Sequence, residues 1–200
     1  MKKLLLVLCL VLTGCVTAGK RGSDAGPAVY DLGPPAERQP AAAGLPPLAV
    51  DIRAPYWLDS LGIGYRLAYA EPGRLRDYAR ARWAAPPATL MQQRLAQQLG
   101  LIPVGQGGAR CLVRIDLDEF SQVFTMPQES RGVLQARVVL LDGTRKQLAE
   151  TALKIEKAAP SQDSRGGVAA LEAAVAQLGT DLGRWREQLA ASGRLKACER

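Results

Sequence analysis

The stretch Leu112-Val113-Arg114-Ile115-Asp116-Leu117-Asp118-Glu119-Phe120-Ser121-Gln122-Val123-Phe124 decides the fold. Its first half alternates. Val113, Ile115 and Leu117 point one way, and Arg114, Asp116 and Asp118 the other, as in a strand with one wet face. Phe120 and Phe124 then fall on the wrong parity. A one-residue bulge near Asp118-Glu119 returns them to the apolar face. Residues 132–141 read as a second strand, and Asp142-Gly143 is a strong hairpin signal. The return strand sets Ala149, Thr151, Leu153 and Ile155 against Glu150, Lys154 and Glu156. Together these segments predict a three-strand antiparallel meander.

Toward the carboxyl end, Val168, Leu171, Val175, Leu178, Leu182, Trp185 and Leu189 recur at alternating steps of three and four. That is one apolar stripe on a long helix. Its Ala-rich flanks suit packing on a sheet better than a coiled-coil seam. Toward the amino end, Pro86-Pro87 opens a shorter helix with Leu90, Met91, Leu95 and Leu99 on one side, and Gly100 ends it. Leu48–Ile52 and Ile63–Tyr69 read as strands, and Val29–Leu32 as a short edge strand. Pro72-Gly73 is a turn, and the proline-rich residues 33–47 have no apolar period. The expected fold class is α+β, a mainly antiparallel sheet with two helices packed on one face.

Composition narrows the chemistry. The chain of 200 residues has no histidine, 26 Lys and Arg, and 19 Asp and Glu, for a formal charge of +7. Without histidine, Ser-His and Cys-His nucleophile pairs are excluded, and the commonest metal ligand is missing. The basic residues are scattered, so no nucleic-acid footprint is expected. Gly105-Gln106-Gly107-Gly108 lacks the Lys-Ser/Thr and the following helix of a phosphate cradle. Asp116, Asp118 and Glu119 crowd together, but strand alternation accounts for the first two as a solvent face, and no EF-hand spacing is present. No catalytic residue, metal site or cofactor is expected, and the chain reads as a non-enzyme. Tyr56, Trp57, Tyr78 and Trp83 either plug the ends of the core or offer anchors to a partner.

The amino terminus has its own logic. Lys2 and Lys3 precede the apolar run Leu4–Leu12, and then come Thr13, Gly14 and Cys15. The run is shorter than the roughly 20 residues that span a bilayer, and reads as an export signal. Leu12-Thr13-Gly14-Cys15 resembles the lipobox of bacterial lipoproteins. The resemblance implies cleavage before Cys15 and acylation of that residue. Three regions follow: signal 1–14, lipidated cysteine and tether 15–27, and a single domain 28–200. Val16, rather than Asp, is similar to lipoproteins sorted to the outer membrane. Such a compartment permits disulfides. Cys111 and Cys198 are then either bridged or two free thiols; the sequence leaves both open.

Several stretches together resemble the PqiC-type, or ABC-type transport auxiliary, lipoproteins. They are Cys15, Tyr30-Asp31-Leu32, Pro55-Tyr56-Trp57-Leu58-Asp59 with Tyr65-Arg66, Arg82-Trp83-Ala84 with Pro86-Pro87, Asp118-Glu119-Phe120 and the Asp142-Gly143 hairpin. The resemblance implies an auxiliary part of an intermembrane lipid transport system. Its partner would be a periplasmic MCE-domain protein, received at the periplasmic face of the outer membrane by a homo-oligomeric ring. Tyr56, Trp57, Tyr65, Arg66 and Trp83 are the candidate partner interface, from residue type and family position. A second expectation is a lipid carrier with its own apolar cavity.

Overall fold

The computed structural model describes residues 26–35 and 44–199. In chain order its elements are β1 (Ala28–Tyr30), β2 (Leu48–Arg53), β3 (Gly62–Leu67), β4 (Leu75–Trp83), α1 (Pro87–Leu99), β5 (Ile102–Pro103), β6 (Cys111–Met126), β7 (Glu129–Leu141), β8 (Gln147–Ala158) and α2 (Ser164–Ala191), closed by a 3-10 turn at Arg194–Cys198. Cys15, the signal and most of the tether lie outside the described residues.

β6 is the spine of an eight-stranded sheet. One of its edges pairs with β7 along nearly its whole length, antiparallel, and β7 pairs likewise with β8. Its other edge is shared end to end by two strands. β2 runs parallel to its first half, from Leu48 opposite Cys111 to Arg53 opposite Asp116. β3 runs parallel to its second half, from Tyr65 opposite Gln122 to Leu67 opposite Phe124. The register slips between Leu117 and Glu119, so the extra residue is Asp118. That bulge puts Phe120 and Phe124 in the core beside Ile115 and Leu117.

The sheet is mixed and curled rather than mainly antiparallel. Four of the seven strand pairings are parallel: β1 with β4, β2 with β5, β2 with β6 and β3 with β6. The physical reason lies in the short 54–61 link. A connection of that length is too short for the crossover that joins parallel neighbours. Here it steps over the bulge and lets the chain continue in the same direction along the same edge of β6. A further difference concerns β4, a strand where the sequence reading placed no element between the Pro72-Gly73 turn and Pro86. Its pairing with β3 jumps from Gly62–Arg82 to Gly64–Asp77, which breaks the alternation that would have revealed it.

Both helices pack on one face of the sheet, and their buried side chains join those of β2, β6, β7 and β8 in one apolar cluster. Leu134, Leu140, Leu171, Leu178, Met91 and Leu95 are fully enclosed there. α1 begins on Pro87 and ends at Gly100, whose φ of 62° is the left-handed conformation that glycine adopts without cost. α2 starts earlier than its apolar stripe. Asp163 caps it, its carboxylate accepting from the Gly166 amide at 2.9 Å and from the Ser161 hydroxyl at 2.6 Å. These hydrogen bonds, that of Ser161 first, hold the Asp163 carboxyl below its usual range. Gly132 lets α2 settle on β7, since a Cβ there would lie 2.7 Å from the Ala170 carbonyl carbon. The opposite face of the β6–β8 ribbon is charged. Asp116 pairs there with Arg114 and Arg137, and Glu156 with Lys154 and Arg131.

The β7–β8 hairpin is wider than its Asp-Gly pair suggests. Asp142 and Lys146 close it, and the positive φ, 68°, falls on Arg145 rather than Gly143. The Asp142 side chain accepts from the Thr144 hydroxyl and from the amides of Thr144 and Lys146. Its carboxyl is held down chiefly by the Thr144 hydroxyl.

Candidate docking surface

The five aromatic and basic residues of the candidate interface do not form one patch. Trp83, at the end of β4, is 1% exposed and packs on Phe120 with ring centroids 5.8 Å apart. It is a core residue. Tyr65 on β3 is half-buried, stacked on Tyr78 at 4.7 Å and edge-on to Phe124 at 6.1 Å. Arg66 reaches along the sheet to Glu119, Nε to carboxylate at 2.8 Å, across the β6 bulge. Glu119 also accepts from the Phe120 amide. The third member of the acidic cluster is thus committed to holding the bulge. Among the described residues no three His, Cys, Asp or Glu side chains gather as a metal would need.

Tyr56 and Trp57 stand apart from these. They occupy the crown of the 54–61 link, Tyr56 at 85% and Trp57 at 51% exposure, their rings edge to face with centroids 5.0 Å apart. The crown is a fixed turn. Pro55 enters it, and its carbonyl accepts from the amides of Leu58 and Asp59 at 2.9 and 3.0 Å. Leu58 is driven into the core and pins the turn from below. At its far end Leu61, 38% exposed, accepts through its carbonyl from the Trp83 amide. The sequence marked the two aromatics but not the apolar neighbours that accompany them, Leu61 and, one strand beyond β4, Val29 on β1. Neither carries a local signal. Only the pairing of Gly62 and Val29 with Arg82, on its two sides, brings them together.

Beneath this region lies a buried polar network. Gln122, wholly enclosed in β6, accepts from the Tyr78 hydroxyl at 2.7 Å and donates to Ser130 Oγ at 2.8 Å. Burial, then the neighbouring Tyr65 and Asp163, push the Tyr78 phenol well above its ordinary range. Tyr78 therefore stays a neutral donor. Its hydrogen bond fixes β4 against β6.

At the other end of β6, Cys111 and Cys198 are bonded, with Cα atoms 5.3 Å apart. The bond ties the terminal 3-10 turn to the first residue of the spine. Two surface clefts of about 470 and 460 Å³ flank the residues that follow β1. Between them Arg94, buried on α1, donates to the carbonyls of Leu32 and Gly33. The clefts are open grooves beside the core, not an enclosed chamber within it.

The sequence profile described as ABC-type transport auxiliary lipoprotein component matches residues 30–183. The chain belongs to this family. The matched span runs from the last residue of β1 into α2 and takes in strands β2 to β8. A crystal structure of a Xanthomonas campestris protein aligns with 82% of this chain and 99% of its own at 19% identity, with a TM-score of 0.69. A crystal structure of an uncharacterized protein aligns with 80% of this chain and 97% of its own at 16% identity, with a TM-score of 0.61. At these identities the two show a shared fold. A search of curated protein sequences gave no match. The protein is thus an auxiliary lipoprotein component of an ABC-type transport system. Among the described residues no helix is long and apolar enough to cross a membrane.

Proposed function

We propose that the protein is a non-catalytic adaptor of an intermembrane lipid transport system. Acylated Cys15 holds it at the periplasmic face of the outer membrane, where it receives a periplasmic MCE-domain protein. Copies of the chain assemble into a ring around that partner. The observation that carries this reading is the family match over residues 30–183, joined to the Leu12-Thr13-Gly14-Cys15 sequence ahead of it. Among the described residues the space between sheet and helices is filled, which supports an adaptor over a lipid carrier. Met91, Leu95, Leu134, Leu171 and Leu178 occupy the space between sheet and helices that a carried acyl chain would need.

The test is crosslinking in intact cells followed by purification through this chain. Recovery of an MCE-domain protein, together with self-crosslinked oligomers, is the expected result. Recovery of the chain alone, as a monomer, would refute the adaptor reading. A stoichiometric phospholipid in the native mass spectrum of that monomer would favour the carrier instead.

A further inference from the structure

The Tyr56–Trp57 crown calls for an occupant. Two large rings held in water by a rigid turn forgo the burial that folding gives their counterparts, and such patches mark surfaces that meet something. The crown does not stand alone. Leu61 follows it, and the register carries Gly62 through Arg82 to Val29, across three neighbouring strands. Val29, 53% exposed, sits on β1, two residues after the point where the chain emerges from its amino-terminal tether. The aromatic crown, Leu61 and the strand where the tether enters are therefore neighbours across β3, β4 and β1.

The tether identifies the occupant. Residues 16–25, fully extended, span at most about 35 Å. With Cys15 acylated, as the lipoprotein reading on which this inference rests requires, Gly26 stays within roughly that reach of a bilayer, and the strand it leads into is paired to β4 and, through it, to the start of β3 beside the crown. Charge argues the same way. Exposed charged groups on the link and on the flanking strands include Arg53, Asp59, Asp77, Arg80 and Arg82; Arg53 is already paired with Asp51, and Asp77 packs over Gly62. Both signs are present, so the patch does not select a strongly charged partner. Tyr and Trp, with apolar bodies and polar tips, are the side chains that settle at the headgroup level of membranes.

We infer that the Tyr56–Trp57 crown is an interfacial membrane contact. Its two rings seat among the headgroups of the leaflet that holds the acyl chains, and so fix which way the domain faces. The lipid anchor sets the distance, and the crown sets the orientation.

The experiment uses the full lipidated chain in phosphatidylethanolamine–phosphatidylglycerol vesicles, with and without brominated acyl chains. The chain has three tryptophans, of which Trp83 is enclosed and Trp185 is packed on the core. Bromine is expected to remove emission from one tryptophan only, and Trp57→Phe to abolish that quenching with no change in melting temperature. Raising the salt is expected to leave the quenching in place. Equal emission in both vesicle types, from protein that floats with the vesicles, would overturn the inference while leaving the lipoprotein reading intact. Crosslinks from position 57 to protein alone, in cells, would overturn it in favour of a protein partner. Failure of the wild-type chain to float would defeat the lipoprotein reading itself, and this inference with it.

Discussion

Replacing both Cys111 and Cys198 by alanine should destabilise the domain by several kcal/mol. The bond links residues 87 apart, which makes it a long-range crosslink. Chain-entropy reasoning gives about 4.6 kcal/mol at 25 °C for a loop of that size, against measured values that cluster near 2–4 kcal/mol. The lower range suits this site. Leu195 is buried beside Cys198, so the tail retains an apolar hold of its own once the bond is gone. For a domain of this size, ~3 kcal/mol corresponds to a fall in melting temperature of roughly 6–12 °C. Urea unfolding followed by circular dichroism measures the difference directly. Wild-type protein unfolded in excess reductant should coincide with the double alanine variant, since both lack the crosslink in the unfolded state. Midpoints for wild type, reduced wild type and variant that agree within ~0.5 kcal/mol would refute the reasoning. They would mean that the tail contributes nothing to the global transition.

Trp83→Ala should cost about 3–5 kcal/mol, as for other enclosed tryptophans, whereas Tyr56→Ala and Trp57→Ala should stay within about 0.5 kcal/mol of wild type; thermal melts of the three variants decide it. Gly132→Val should prevent α2 from seating on β7, because even the first side-chain carbon meets the Ala170 backbone at 2.7 Å, and the readout is loss of a cooperative melt. Asp163→Ala should remove the α2 cap at a cost of about 1 kcal/mol. Because its folded carboxyl is held below the ordinary value, the cap contributes fully above about pH 4 and fades as pH falls through the folded pKa. A stability profile that is steeper in acid for wild type than for Asp163→Asn checks this, and parallel profiles would refute it.

The parts of the fold that were legible in the sequence are those whose pattern is local. The β6–β8 meander shows a period of two, α2 a period of 3.6, and the bulge betrays itself because Phe120 and Phe124 need the same face as Leu117. The parallel half was not legible, since nothing in Leu48–Arg53 or Gly62–Leu67 records that both strands lie along one edge of β6. That arrangement is decided at the bulge, where Asp118 is extruded and Glu119 turns to meet Arg66 from β3. The candidate surface follows the same division. The sequence could single out Tyr56, Trp57 and Trp83 as aromatics beside prolines, but their fates differ for a reason outside their own neighbourhoods. Trp83 ends a strand flanked by β1 and β3, so its side chain has a core to enter and Phe120 to meet there. Tyr56 and Trp57 ride on a link that must step over the β6 bulge, and of its large side chains Leu58 is the one that reaches inward. The rings stay outside because the end-to-end placement of β2 and β3 leaves them no interior to occupy. Their exposure is a consequence of the topology, and it persists in the folded chain until a second surface covers it.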